Sequence, residues 1–187
     1  MAMATRILAA GLVTLVLGSS NGTAEAQNLT LTVRVRNNAL ALDQDVAEAQ
    51  THVTRIYAAA GIDIVWLTSG ARLTIALISR EQADLMHQVK DVVGYAPASG
   101  DEGGRLAYVL NHRVVEVSAG YNSAKTVVLG AALAHEIGHL LLPSQSHSAN
   151  GLMREKWDRS DFRNATRGTL LFTPEQARAM RERLETK

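Results

Sequence analysis

Apolar and polar residues alternate strictly over residues 29–36 (LTLTVRVR), and this period of two predicts a strand with one buried face. Two further strands are predicted at residues 62–67 (IDIVWL) and 73–79 (LTIALIS), and a short fourth strand at residues 106–110 (LAYVL). Between the last two, residues 80–88 could form a short helix. The chain therefore carries enough strand segments for a sheet.

Helical spacing of apolar residues marks three other segments. Apolar residues recur at helical spacing from Leu42 to Ala60, which predicts a helix that Gly61 ends. Residues 125–142 (KTVVLGAALAHEIGHLLL) are apolar and rich in Ala and Leu, which predicts a largely buried helix ending before Pro143. The Thr-Pro-Glu-Gln start of residues 173–184 is a capping box and predicts the final helix.

The order of these elements predicts the fold class. It reads strand, helix, three strands, helix, irregular segment, helix, with a loop at residues 92–105 where glycine and proline interrupt any pattern. This order predicts an α/β fold, close to α+β, with a mixed sheet.

The N-terminus has the pattern of a signal peptide. Arg6 supplies a positive charge, residues 7–18 are apolar, and Ala24-Glu25-Ala26 is a typical cleavage site. Residues 1–26 are therefore predicted to be removed, which leaves residues 27–187 as one domain. An uncleaved membrane anchor is the alternative, but the apolar stretch is short for a bilayer. We expect an exported protein, periplasmic or extracellular, with no membrane association after cleavage.

Composition narrows the possible partners. The formal net charge is +1 and no block of Lys and Arg stands out, so neither nucleic acid nor an anionic membrane is an expected partner. The chain has no cysteine, so disulfides cannot stabilise it. The core must therefore hold the domain together, and a bound metal could add to its stability. We expect a monomer, and a cysteine-free exported chain fits a bacterial source.

The predicted buried helix carries an H-E-x-x-H motif. His135 and His139 lie one helical turn apart, so both imidazoles can bind one zinc ion. Glu136 lies beside the first histidine, where its carboxylate can act as general base on a water molecule. The alternative is a pair of ordinary core histidines, but buried polar groups are costly unless satisfied, and a metal satisfies them. The motif predicts one catalytic Zn²⁺.

A catalytic zinc takes three protein ligands and leaves one position open. His147 is the favoured third ligand, because Pro143 ends the helix and a flexible serine-rich stretch can turn back toward it. Glu155 would suit peptidases with a glutamate ligand, but no second long helix is predicted around it. The full set of candidates for the third ligand is His147, Glu155, Asp158, Asp161 and His112.

The motif resembles that of the metzincins, zinc metallopeptidases with the pattern H-E-x-x-H-x-x-G-x-x-H followed by a methionine-containing turn. Asn150-Gly151-Leu152-Met153 looks like this turn, with Met153 as an apolar floor beneath the ligands. The chain departs from the pattern at Leu142 and Gln145, where the family has glycine and histidine. His147 comes two residues later than the family ligand, a difference that a loop can absorb.

The resemblance implies a metzincin or zincin fold: a twisted mixed sheet, a backing helix, an edge strand above the cleft, the active-site helix, the Met-turn and a C-terminal helix. The predicted elements follow this order. On this analogy the last predicted strand would pair with an extended substrate. Its residues are Leu106, Ala107, Tyr108, Val109 and Leu110.

The sequence and the resemblance together predict an exported zinc-dependent metalloendopeptidase acting on a peptide or protein substrate. Zinc held by His135, His139 and His147 would polarise the scissile carbonyl, and Glu136 would move a proton from water to the leaving amine. One alternative is a secreted binding domain that zinc stabilises without catalysis, with His112 closing the fourth position. The other is a zincin with Glu155 as third ligand.

Overall fold

The computed structural model describes residues 29–86, 92–97, 104–143 and 146–186. The predicted signal peptide, residues 1–26, lies outside the described residues. So do the end of the predicted short helix at residues 87–88 and the middle of the predicted loop at residues 98–103.

The described strands form one five-stranded sheet in the order β2-β1-β3-β5-β4. The strands β2, β1, β3 and β5 run parallel to one another, and β4 is antiparallel to β5. Parallel neighbours need crossover connections, and the helix between the first two strands supplies one. The prediction of an α/β fold with a mixed sheet is confirmed. The strands are β1 (Leu29–Asn37), β2 (Ile62–Trp66), β3 (Leu73–Ile78), β4 (Gly94–Tyr95) and β5 (Leu106–Leu110).

Six helices are described, and the fourth is the centre of the core. α4 is buried along almost its whole length and packs against α1 as the predicted backing helix. The Tyr57 hydroxyl of α1 donates a hydrogen bond to the carbonyl oxygen of Ala134 in α4, at 3.1 Å. Within the described residues, no helix is both long enough and apolar enough to cross a bilayer. The helices are α1 (Asp43–Ala58), α2 (Arg80–Leu85), α3 (Asn111–Tyr121), α4 (Lys125–Leu141), α5 (Arg159–Arg167) and α6 (Pro174–Glu185).

The predicted substrate edge strand, Leu106–Leu110, is not an edge. β5 is hydrogen-bonded to β3 along its length, and its other side pairs with β4 at Tyr108 and Val109. The prediction was wrong because β4 has only two residues, too few for an alternating pattern to be visible. Among the described residues, β4 is the outermost strand on this side of the sheet.

Two helices were not predicted. α3 follows β5 without a linker, and its β-branched valines are weak helix formers, so it gave no clear local signal. It ends where Asn122 adopts the left-handed conformation with φ of 51°. α5 did have a readable start, since Asp158 and Asp161 form a capping box. Both helices contact α4 and form walls of the cleft described below.

Candidate metal centre and its cleft

Small residues let other parts of the chain approach α4 closely. A Cβ placed on Gly130 would lie 2.6 Å from the Cβ of His52 in α1. A Cβ placed on Gly138 would lie 2.6 Å from the Sδ of Met153. Any larger residue at either position would therefore force its neighbours to move. This close packing holds α4 in one position, and with it the three residues of the H-E-x-x-H motif.

Three histidines converge beside α4. One ring nitrogen each of His135, His139 and His147 lies within 4.8 Å of the other two. His135 is buried, His139 is partly buried and His147 is exposed. The first two come from consecutive turns of α4, and the third comes from the loop after its end. The structure brings together the three predicted ligands, and they form a group able to hold a zinc ion.

Each of the two α4 histidines has a hydrogen-bond partner on its Nδ1 atom. The Nδ1 of His135 donates to the backbone carbonyl of Leu152 at 2.8 Å, and a carbonyl oxygen can only accept. The Nδ1 of His139 contacts the Ser146 hydroxyl at 3.1 Å. The Nε2 atom of His135 is therefore free to present a lone pair, and it lies 2.9 Å from the Nε2 atom of His139. Burial lowers the pKa of His135 to about 4 and that of His139 to about 3, which keeps both imidazoles in the neutral, ligating form.

The geometry of this donor set fits a metal. Two neutral imidazoles whose Nε2 lone pairs face each other repel, unless a cation or a shared proton lies between them. The low pKa values disfavour a net positive charge on the two rings, so both stay able to bind a cation. Neutral imidazole is a common ligand of zinc, and hydrogen bonds on the far ring nitrogens are the usual support of such ligands.

The carbonyl that orients His135 also accepts a second hydrogen bond. The indole Nε1 of Trp157 donates to the same Leu152 oxygen at 3.1 Å. The Trp157 ring stands edge-on to His135, with ring centroids 5.5 Å apart. No local sequence pattern reveals such a shared acceptor. Trp157 thus fixes the position of the carbonyl that holds the first ligand.

Glu136 is buried beside the histidines and is only 4% exposed. Its Oε2 atom is enclosed by protein and has no hydrogen-bond partner. Burial raises the pKa of Glu136 to about 8, so this carboxylate is a stronger base than an ordinary glutamate. An unsatisfied buried oxygen is costly for stability, and such a cost is typical of a group retained for chemistry.

The edge strand β4 passes directly over Glu136. A Cβ placed on Gly94 would lie 2.7 Å from the Glu136 Oε1 and 2.7 Å from the carbonyl oxygen of Tyr108. Real side chains do not make such contacts, so only glycine fits here. No local pattern reveals this role, since Gly94 lies in a segment whose sequence predicts a glycine-rich loop. The close approach places the backbone of β4 beside the predicted general base.

Replacing Gly94 with alanine is expected to impair hydrolysis by displacing Glu136. A displacement on the order of 1 Å at a reacting group can cost about 10²-fold in rate, and we expect a loss of kcat/KM of this order. Zinc content should stay the same because no histidine is touched. Steady-state peptide cleavage and metal analysis of the purified variant measure the two effects.

Gly120 provides the matched control for this substitution. It lies on the exposed face of α3, and a Cβ placed there would meet nothing within 4 Å. Gly120→Ala should keep wild-type kinetics and gain roughly 0.5–1 kcal/mol of stability from helix propensity. Wild-type kinetics in Gly94→Ala would show that β4 does not position Glu136.

Met153 lies where the resemblance places the methionine of the turn. It is fully buried, and its sulfur packs against Gly138, on the stretch of α4 between the two histidines. The turn closes on itself, since the Ser148 backbone N–H donates to the Met153 carbonyl at 2.9 Å. Gly151 has a φ of 75°, a left-handed conformation that glycine adopts without strain. The turn thus forms a rigid floor under this part of α4.

The histidines open onto a cleft of about 630 Å³. The lining of the cleft includes β4 and the aromatic residues Tyr121, Trp157 and Phe162. The rings of Tyr121 and Phe162 are 4.4 Å apart, so they form one continuous apolar surface. A cleft of this size holds several residues of a peptide or a small ligand.

The other candidates for a metal ligand lie elsewhere. Among the described residues, the three histidines are the only group of His, Cys, Asp or Glu with metal-binding spacing. Asp158 and Asp161 both accept hydrogen bonds from Arg154, at 2.6 and 2.7 Å. Glu155 lines the cleft but does not belong to the group, and neither does His112. The structure therefore favours His147 over its rivals.

Comparison with known proteins gives little further information. Sequence searches found no matching protein family and no matching curated protein. The solved structures that resemble this chain include the archaemetzincin of Methanopyrus kandleri, at 13% identity and a TM-score of 0.48, covering 87% of this chain and 99% of that one. A Thermotoga maritima protein solved in solution matches at 9% identity and a TM-score of 0.38, covering 81% and 92%. Neither likeness is close enough to bear on function. The functional argument rests instead on the three histidines and Glu136.

Proposed function

We propose that this protein is a zinc-dependent metallopeptidase that hydrolyses peptide bonds in an extended polypeptide. One observation carries the proposal: three converging histidine nitrogens lie next to a buried, unpartnered carboxylate at the wall of an open cleft. A closed structural metal site would have no use for such a carboxylate. A catalytic site needs it as a base.

Each of the site residues has a defined task. His135, His139 and His147 would hold the zinc ion, which when bound supplies Lewis acidity to a carbonyl and lowers the pKa of water. Glu136 takes one proton from the attacking water as the water oxygen bonds to the scissile carbonyl carbon. Glu136 then delivers that proton to the amide nitrogen as the carbon–nitrogen bond breaks, which releases an amine and a carboxylic acid. The burial of Glu136 supports this role, because it raises the affinity of the carboxylate for a proton.

The position of β4 supports binding of an extended substrate. Its backbone lies beside Glu136, and among the described residues its outer side carries no further strand. A substrate could therefore add to this edge as a new strand, and main-chain hydrogen bonds would align the scissile bond with the site. The aromatic residues that line the cleft would accept an apolar side chain. This role replaces the one that the sequence had suggested for β5.

Metal analysis combined with peptide cleavage tests the proposal. Purified residues 27–187 should contain one zinc per chain and should cleave an unfolded protein or a peptide library. Removal of the metal with a chelator should abolish cleavage, and one equivalent of zinc should restore it. Cleavage that continues in fully metal-free protein would sink the proposal.

Zinc should also stabilise the fold. A ligand present at about 1,000 times its Kd adds roughly 4 kcal/mol to the free energy of unfolding. For a domain of this size, that corresponds to a rise in the thermal midpoint of about 10 °C. Differential scanning calorimetry of the zinc-loaded and chelator-treated protein measures the difference. Equal midpoints at saturating zinc would mean that the folded state binds no metal.

A further inference from the structure

The side chain of Gln176 reaches from the C-terminal helix to the loop that carries His147. Gln176 is the third residue of α6 and completes the capping box with Thr173. Its carboxamide nitrogen donates to the carbonyl oxygen of Ser146 at 3.2 Å and to the hydroxyl of Ser148 at 3.1 Å. These are the two residues on either side of His147. One amide group therefore holds both ends of the third ligand's backbone.

The capping box decides which end of the amide faces the loop. The backbone N–H of Thr173 can only donate, so it takes the Gln176 Oε1, at 3.0 Å. The NH₂ group must then point the other way, and its two hydrogens match the two oxygens of the loop. Every donor and acceptor of the side-chain amide has a use in this arrangement.

The two serines pass this restraint on to the metal ligands. The hydroxyl of Ser146 contacts the Nδ1 of His139 at 3.1 Å, so its backbone position affects the second ligand as well. The hydroxyl of Ser148 donates to the carbonyl of Asn150 at 2.8 Å, and its N–H donates to the carbonyl of Met153 at 2.9 Å. The segment is thereby tied to the turn beneath α4.

A restraint of this kind answers a physical problem of the site. His147 is exposed, and no helix or strand holds it. Ordering a loop residue costs backbone entropy, and metal binding must overcome that cost if the loop is free beforehand. Two hydrogen bonds from a residue anchored in a packed helix remove part of the cost in advance.

On this basis, and resting on the proposed zinc site, we propose that Gln176 is a positioning residue that preorganises His147 as third ligand. It does not touch the metal. It acts by fixing Ser146 and Ser148 on either side of His147. Its role in starting α6 is separate and uses a different atom of the same amide.

Two substitutions of Gln176 separate these roles. In Gln176→Glu the carboxylate still accepts the Thr173 N–H, but both donors to the loop are lost. In Gln176→Met the side chain is neutral, so no added charge can influence the metal directly. Loss of a group that orients a metal ligand typically weakens metal affinity about 10–100-fold, and we expect both variants to lose at least about 10-fold in zinc affinity.

Thr173→Ala is the matched control. It removes the hydroxyl that accepts the Gln176 backbone N–H, and so it weakens the helix start without touching the loop. This variant should lower the thermal midpoint of the metal-free protein and leave zinc affinity unchanged. If Thr173→Ala weakens zinc binding as much as the Gln176 variants do, the effect is one of helix stability and the proposal fails.

The decisive measurement is a double-mutant cycle with His147→Ala, using zinc affinity from competition with a chelating dye. If Gln176 acts through His147, Gln176→Met should have little further effect once His147 is gone. Equal losses in both backgrounds would overturn the role of Gln176 while leaving the zinc site intact. Absence of zinc binding by the wild-type chain would overturn the proposed function and this role together.

Discussion

Replacing Glu136 with glutamine is expected to lower kcat/KM for peptide cleavage by about 10³-fold while zinc stays at one ion per chain. A positioned general base contributes roughly 10²–10⁴-fold, and glutamine cannot take a proton from water. The expected loss corresponds to about 4 kcal/mol of transition-state stabilisation. Metal content should not change, because Glu136 lies outside the group of three histidines. Steady-state kinetics with a defined peptide and metal analysis provide both numbers.

Glu155→Gln is the control for this experiment. Glu155 also lines the cleft, but it is exposed and lies outside the metal-binding group. Its replacement removes a carboxyl group from the cleft without removing the base, so kcat/KM should stay near the wild-type value. The fold should tolerate Glu136→Gln well, since the Oε2 atom makes no hydrogen bond that could be lost. Unchanged hydrolysis in Glu136→Gln would rule out the proposed mechanism.

Replacing His147 with alanine is expected to have the second largest effect, on metal binding. Loss of a supporting residue costs about 10–100-fold in affinity, so loss of a ligand itself should cost at least about 10²-fold. His147 is exposed, and a surface substitution normally changes stability by no more than about 0.5 kcal/mol. The thermal midpoint of the metal-free protein should therefore be unchanged, whereas the stabilisation by zinc should be largely lost.

Glu155→Ala and His112→Ala complete this test, because they remove two of the other ligands that the sequence leaves open. Both variants should bind zinc as the wild type does. Full zinc affinity in His147→Ala together with a loss in Glu155→Ala would assign the third ligand to the glutamate. A loss in His112→Ala would point to a closed, four-ligand site without catalysis.

The central helix and its motif could be predicted from the sequence because the information is local. An apolar run rich in Ala and Leu, ended by Pro143, describes α4 almost to the residue. The spacing of His135 and His139 follows from helix geometry alone. The start of α6 was equally readable, because its capping box lies within four consecutive residues.

Elements that depend on distant partners could not be predicted in this way. β4 exists as a strand only through its pairing with β5, and two residues show no periodicity. α3 is rich in valine, and its helical form depends on packing against α4. Without β4, the last predicted strand is β5, and the resemblance to the metzincins assigns the substrate edge to it.

The third ligand is an intermediate case. The sequence favours His147 but leaves four other residues as candidates for this ligand, because local sequence patterns do not predict the path of a loop. Gln176 and Ser146 explain why this one path is taken, and they lie 29 residues on and one residue before His147 in the chain. Contacts of such different range become visible only in the folded structure.

The packing of α4 has a consequence for how this protein could gain and lose its metal. α4 contacts α1, α3, α5 and α6 as well as β3, β4 and β5, so it belongs to the part of the structure with the greatest protection against local unfolding. We expect its amides to exchange with deuterated solvent only on global unfolding. The loop around His147 is exposed and should exchange through small local openings. Zinc could then leave through fluctuations of the loop while the histidine pair on α4 stays in place, ready to capture the next ion.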